Sequence, residues 1–228
     1  MIMTQQYISV CNDFLKALSD ISEDHKENID YGAILNILNC IHLEKGFHLK
    51  VRFPHFKSYG DKSWFYCYEG EHDTYEEEYN KSVKDVDEFF INYMYDETYD
   101  IFNHLIIDTT EMGAWQAYLM SIATHFLPTY WHGGYSRREM VFSDKEIEQK
   151  KFLFFLCRDK LKDIPVFGDL PPFVALDGNK AIIKSCYWNM WRGLVRETAE
   201  ILFLDKKAYF LEPARHEILF KYNCGIKF

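Results

Sequence analysis

The six cysteines, at 11, 40, 67, 157, 186 and 224, form no Cys-x-x-Cys pair. Their wide gaps argue against a zinc ribbon or a thioredoxin-type centre. Most flank apolar residues, as Cys157 does after Phe154-Phe155-Leu156, which predicts free buried thiols in a reducing compartment. Proline (6) and glycine (11) are sparse, and no Ser/Pro/Gly-rich linker, internal repeat or low-complexity tract divides the chain. One globular domain over 1–228 is therefore expected. The common motif chemistries are also missing. There is no Gly-x-x-x-x-Gly-Lys-Ser/Thr, no Gly-x-Gly-x-x-Gly opening a helix, no His-Glu-x-x-His and no Gly-x-Ser-x-Gly, which counts against P-loop enzymes, dinucleotide-binding folds, zincins and α/β-hydrolases. No cofactor is expected.

Positive charge is in short supply: 26 Lys and Arg face 35 Asp and Glu, a net −9. With no basic stripe, nucleic acid is not an expected partner. Long apolar runs are missing too. Residues 112–134 carry no charge, but Gln116, Ser121, Thr124 and His125 interrupt them and Pro128, Gly133 and Gly134 close them. A buried helix is expected there rather than a membrane span of about 20 apolar residues. Residues 1–11 have neither a basic start nor a continuous apolar core, so no secretory signal is read and the expected compartment is the cytoplasm.

What the chain has is a concentration of negative charge. Between Glu69 and Glu111 lie fourteen Asp and Glu against two Lys, a local −12, so the remainder sums to +3. Charge gathered in one place steers a partner as the same charge spread evenly does not. The block is rich in rings as well, and aromatics make up 18% of the chain. That share fits a core built on Phe and Tyr, or an interaction face, where Tyr and Trp are enriched.

Hydrophobic periodicity predicts an α+β domain in which N-terminal and central helices pack on a mostly antiparallel sheet, with strands concentrated at 47–68 and 173–222. Tyr7, Val10, Cys11, Phe14, Leu15 and Leu18 recur at helical spacing, and 19–28 reads as a polar loop. A second helix is expected from about Asp30, carrying Ile34, Leu35, Leu38 and Ile41 and ended by Gly46. Alternation at Phe47, Leu49, Val51 and Phe53 predicts a strand, and 63–68 a second. Ile101, Leu105 and Ile106 continue a helical stripe out of the acidic block, and 114–126 reads as a central helix. Ser143 and Glu146 match a capping box for a helix running to about Lys162. Hairpins are expected at 173–187 and 201–211, with a last strand at 217–222.

Two sets of candidate site residues emerge. The first, Tyr75, Glu76, Glu77, Glu78, Tyr79, Asp96 and Tyr99, would dock a basic protein partner. Charge speeds the encounter and buried aromatics then set the off-rate. This is the physical plan of non-catalytic immunity and inhibitor proteins, and it is the reading favoured for this chain. The second set, Trp131, His132, Tyr135, Arg137 and Arg138, surrounds Gly133-Gly134. Its arginines could clamp an anionic small molecule, with His132 exchanging a proton near neutral pH. The plain alternative is a packed turn whose arginine pairs with the acidic block. A third reading is a structural subunit that leaves an apolar face exposed. The group Glu69, Glu71, His72 and Asp73 offers metal-type ligands but does not match a Ca²⁺ loop, so no metal is expected. Trp188, Trp191 and Arg192 form an aromatic-basic patch able to stack a ring.

Overall fold

The computed structural model describes residues 2–24, 32–52, 62–73, 100–125, 127–128, 138–153 and 164–222. In chain order the elements are α1 (Ile2–Asp24), α2 (Gly32–Ile37), β1 (Ile41–Leu43), β2 (Phe47–Arg52), β3 (Lys62–Glu69), α3 (Ile101–His104), β4 (Leu105–Ile107) and α4 (Glu111–His125). There follow β5 (Leu127–Pro128), β6 (Glu139–Met140), α5 (Asp144–Leu153), β7 (Phe173–Asp177), β8 (Lys180–Asn189), β9 (Gly193–Leu204) and β10 (Lys207–Lys221). The fold is α+β, and every strand pairing described is antiparallel. The main sheet runs β10-β9-β8-β6, with β7 also on β8; β2-β3-β5 and β1-β4 form smaller sheets.

Helix α4 is the centre of the packing, against β3, β7, β8 and α1. It is buried nearly all round, with Ala114, Trp115, Ala117, Leu119, Met120, Ile122 and Ala123 in the core. A helix so placed must have its polar groups answered inside the protein. The Trp115 indole N–H donates to the Tyr7 carbonyl at 2.9 Å. Gln116 accepts from the Cys40 amide at 2.8 Å and donates to Asn39 at 2.9 Å. These bonds tie α4 to α1 and to the corner before β1. Tyr7, Cys11, Phe14 and Leu18 of α1 are buried as their spacing predicts.

Several expectations are corrected. Helix α1 continues through Asp24 where a loop from residue 19 is expected; the run Ser-Asp-Ile-Ser-Glu-Asp is polar but holds no Gly or Pro to stop a helix. Helix α2 is a short piece, and Ile41 belongs to β1. Gly46 ends no helix: at φ +91 it makes the turn between β1 and β2. Residues 101–107 form one helical turn and then β4, where the β-branched Ile106 and Ile107 pair with His42 and Ile41. Glu146 reaches back to the Phe142 amide rather than to Ser143. Helix α5 begins at Asp144, directly after Ser143 as the capping box predicts, and the Ser143 backbone also bridges to Asp169. The described part of α5 ends at Leu153.

The 173–187 hairpin forms as predicted around Gly178-Asn179. The two further C-terminal pieces are one long hairpin. β9 begins at Gly193, and the expected last strand continues β10 beyond a register shift between Leu211 and Arg215. Pro213, with no N–H to give a ladder, falls in that shift and makes one strand read as two. At the hairpin tip Asp205 and Lys206 both take positive φ (50 and 63), the signature of a two-residue type I′ turn. Gly193 has φ +89, and a Cβ there would lie 2.0 Å from the Phe220 carbonyl oxygen, so the close passage of β10 requires glycine.

Among the described residues no helix is long and apolar enough to cross a membrane.

Candidate functional site

Strand β9 alternates, so Val195, Glu197, Ala199, Ile201 and Phe203 share the face that meets α4. Four of the five are apolar core residues; the fifth is an acid whose residue exposure is only 2%. The sheet register puts Ser185 of β8 opposite Glu197 on one side and His216 of β10 opposite it on the other. Tyr118 comes down from α4, and Arg138 enters from the residue before β6.

The Glu197 carboxylate is held at both oxygens. Oε1 accepts from the Tyr118 hydroxyl at 2.9 Å and from Arg138 Nη1 at 2.9 Å. Oε2 meets His216 Nε2 at 2.5 Å. Tyr118 has one proton and gives it to the carboxylate, so the Ser185 hydroxyl, 2.6 Å away, donates to the Tyr118 oxygen. The Arg138 guanidinium also lies over the Tyr187 ring, 5.2 Å from its centroid. Burial, and next the charge of Glu197, push the Tyr118 phenol well above its ordinary pKa, so it stays a donor. Burial raises the Tyr187 phenol too, partly offset by Arg138.

The ends of this network reach the surface. The side chains of Arg138 and His216 are 27% and 31% exposed. With Nε2 turned inward to the carboxylate, the Nδ1 of His216 faces away from it. A buried carboxylate that orients an imidazole in this way fixes the tautomer and direction of a proton-exchanging or ligand-binding group. Isolated buried carboxylates are costly; here the Arg138 guanidinium supplies the compensating charge and His216 a hydrogen bond.

Of the two sets of candidate site residues, Arg138 alone lies among the described residues. It pairs with Glu197, on β9; the expected pairing with the acidic block falls on residues 74–99, outside the described residues. Trp131, His132, Tyr135 and Arg137 lie outside the described residues, as do Tyr75, Glu76, Glu77, Glu78, Tyr79, Asp96 and Tyr99. Asp73 accepts from Lys50 at 2.9 Å and from Tyr66 at 2.7 Å. Among the described residues no group of three or more His, Cys, Asp or Glu is placed to hold a metal ion. The Trp188 patch is corrected: its ring is 1% exposed and packs on Phe220 and Tyr222. Cys11, Cys67 and Cys186 are free buried thiols and Cys40 is free and half-buried; Cys157 and Cys224 lie outside the described residues.

Glu197, Tyr118, Ser185 and His216 escaped the sequence reading. One signal pointed to Glu197. Had β9 been read from residue 193, its alternation would have put an acid on the buried parity. No family model, curated protein or solved structure matches this chain.

Proposed function

We propose that this protein is a non-catalytic protein-binding module of the immunity or inhibitor type, which neutralises a basic partner protein through an acidic, tyrosine-rich surface. The contact residues in this reading are Tyr75, Glu76, Glu77, Glu78, Tyr79, Asp96 and Tyr99. The observation that carries it is the local −12 between Glu69 and Glu111 against +3 in the rest of the chain. Such a field raises the encounter rate with a cationic surface and repels anionic ones.

The test is a pull-down from the source cell's extract at low salt, followed by association kinetics with the retained protein. A single basic protein is expected on the wild-type chain. Changing Glu76, Glu77 and Glu78 to Gln should lower its association rate about tenfold at low salt, and salt should slow the wild type steeply as exposed charges are screened within about 8–10 Å. Undiminished, salt-insensitive binding by the variant refutes the acidic site. A second reading, an anionic small-molecule site beside Arg138, is favoured by the way Glu197 orients both Arg138 and His216. It gains if no protein is retained and added inorganic phosphate shifts the ring resonances of His216.

A further inference from the structure

The face of the main sheet turned away from α4 has two unlike halves. Around Cys186, Trp188, Leu194 and Tyr222 it is buried with Ile147 of α5 and Leu170 of the preceding-strand segment, in a second small core. Towards the β9–β10 tip the same face is open. Register places Phe173 and Ala175 of β7, Ile182 of β8, Leu202 and Leu204 of β9, and Tyr209 and Leu211 of β10 on this side. Phe173, Leu204, Tyr209 and Leu211 are 40–52% exposed, and they are four of the seven exposed large hydrophobics among the described residues. A clustered apolar patch on a sheet face marks an interaction surface more than scattered residues do.

The charges on this face identify its occupant. Lys180 and Arg215 both pair with Glu200, at 2.6 and 2.7 Å, and Arg196 pairs with Glu217 at 3.0 Å. With Lys184, Asp177 and, opposite Leu204, Lys207 paired to Glu44, five cations stand against four acids, so the face is near neutral on a chain of net −9. A strongly acidic or basic partner gains little from such a surface. A two-fold interface must match itself, and a patch holding both signs around apolar residues can oppose Glu200 of one copy to Arg215 of the other. The β10 edge itself is a poor alternative contact. Its register shifts, Pro213 and the charged Arg215, Glu217 and Lys221 discourage strand addition.

We propose that this open half-face, centred on Leu204, Tyr209 and Leu211, binds a second copy of the chain in an isologous dimer. The patch spans a few residues on each of four strands, the low end for a specific interface, so self-association falls in the micromolar range.

Sedimentation velocity on the full chain from about 2 to 200 µM tests this, since that range brackets a micromolar dissociation constant. The weight-average mass should climb towards twice that of the monomer. Tyr209→Asp and Leu204→Asp, each at a half-exposed position, should weaken association at least about tenfold with unchanged circular dichroism, because each puts a charge into the apolar centre of the contact. Val166→Asp, at a site 88% exposed and off this face, should leave it unchanged. Because the face is near neutral, added salt should change self-association far less than it slows the binding of a basic partner. A monomer at the highest concentration overturns the proposal, as does a dimer indifferent to both substitutions. So does loss of the basic partner, rather than of self-association, in Tyr209→Asp.

Discussion

Replacing Arg138 with Met removes the guanidinium from a carboxylate that has almost no access to water. Glu197 would keep the Tyr118 hydroxyl on Oε1 and His216 on Oε2, but it would lose its permanently charged partner. Breaking a buried pair in this way costs about 3–5 kcal/mol. Arg138 is itself 27% exposed, so the low end, about 3 kcal/mol, is expected. For a chain of this size that lowers the Tm by roughly 6–12 °C. Glu197→Gln alone keeps the shape and the Tyr118 bond, and leaves the partly exposed Arg138 guanidinium free to turn to solvent. Its expected cost is about 1–2 kcal/mol. The double variant has neither the orphaned carboxylate nor the orphaned cation, and should cost about 2 kcal/mol, well short of the sum. Urea denaturation of the four proteins completes the cycle. Additivity within about 0.5 kcal/mol, or a cost below about 1 kcal/mol for Arg138→Met, would refute the claim that these groups act as one buried network.

Alkaline pH should unfold the protein early. Burial raises the Cys67 thiol to about 12, and burial with the Glu111 carboxylate raises the Tyr7 phenol to about 12. Groups that keep their protons in the fold contribute fully below their unfolded pKa and lose that contribution as pH rises towards the folded value, about 1.4 kcal/mol per unit for each. Stability to urea should therefore fall steeply between about pH 9 and 12, and Cys67→Val should lessen the slope; a flat profile contradicts the burial argument. On the acid side, Lys207 donates to Glu44 at 2.5 Å and to the Asn103 carbonyl at 2.9 Å, fastening the β9–β10 tip to the α3 corner. The Lys207 bond is the main cause that lowers the Glu44 pKa. Its contribution is present above the unfolded carboxylate pKa of about 4.3 and is lost as pH falls through the folded value. Lys207→Met should show a smaller loss of stability between about pH 5 and 3 than the wild type; an identical acid limb would remove Lys207 as the cause.

The sequence alone determined the parts whose periodicity is answered within a few residues. The buried stripe of α1, the all-round apolar α4, the alternation of β2 and the Asp177-Gly178-Asn179 hairpin are local patterns, and a side chain's repeat along the chain states which way it faces. The charge imbalance of 69–111 is likewise a property of composition. Pairings between distant segments were decided by the tertiary structure. Residues 105–107 repeat like a helix but lie beside β1, because strand pairing replaces the helical bonds of Ile106 and Ile107. Pro213 hid the continuity of β10. Glu197 looks like one more surface acid until the register sets it between Ser185 and His216, under Tyr118 and within reach of Arg138. No local pattern carries that information, because the residues that make an acid tolerable inside a core come from three other elements and the residue before β6, and meet only when the sheet closes on the helix.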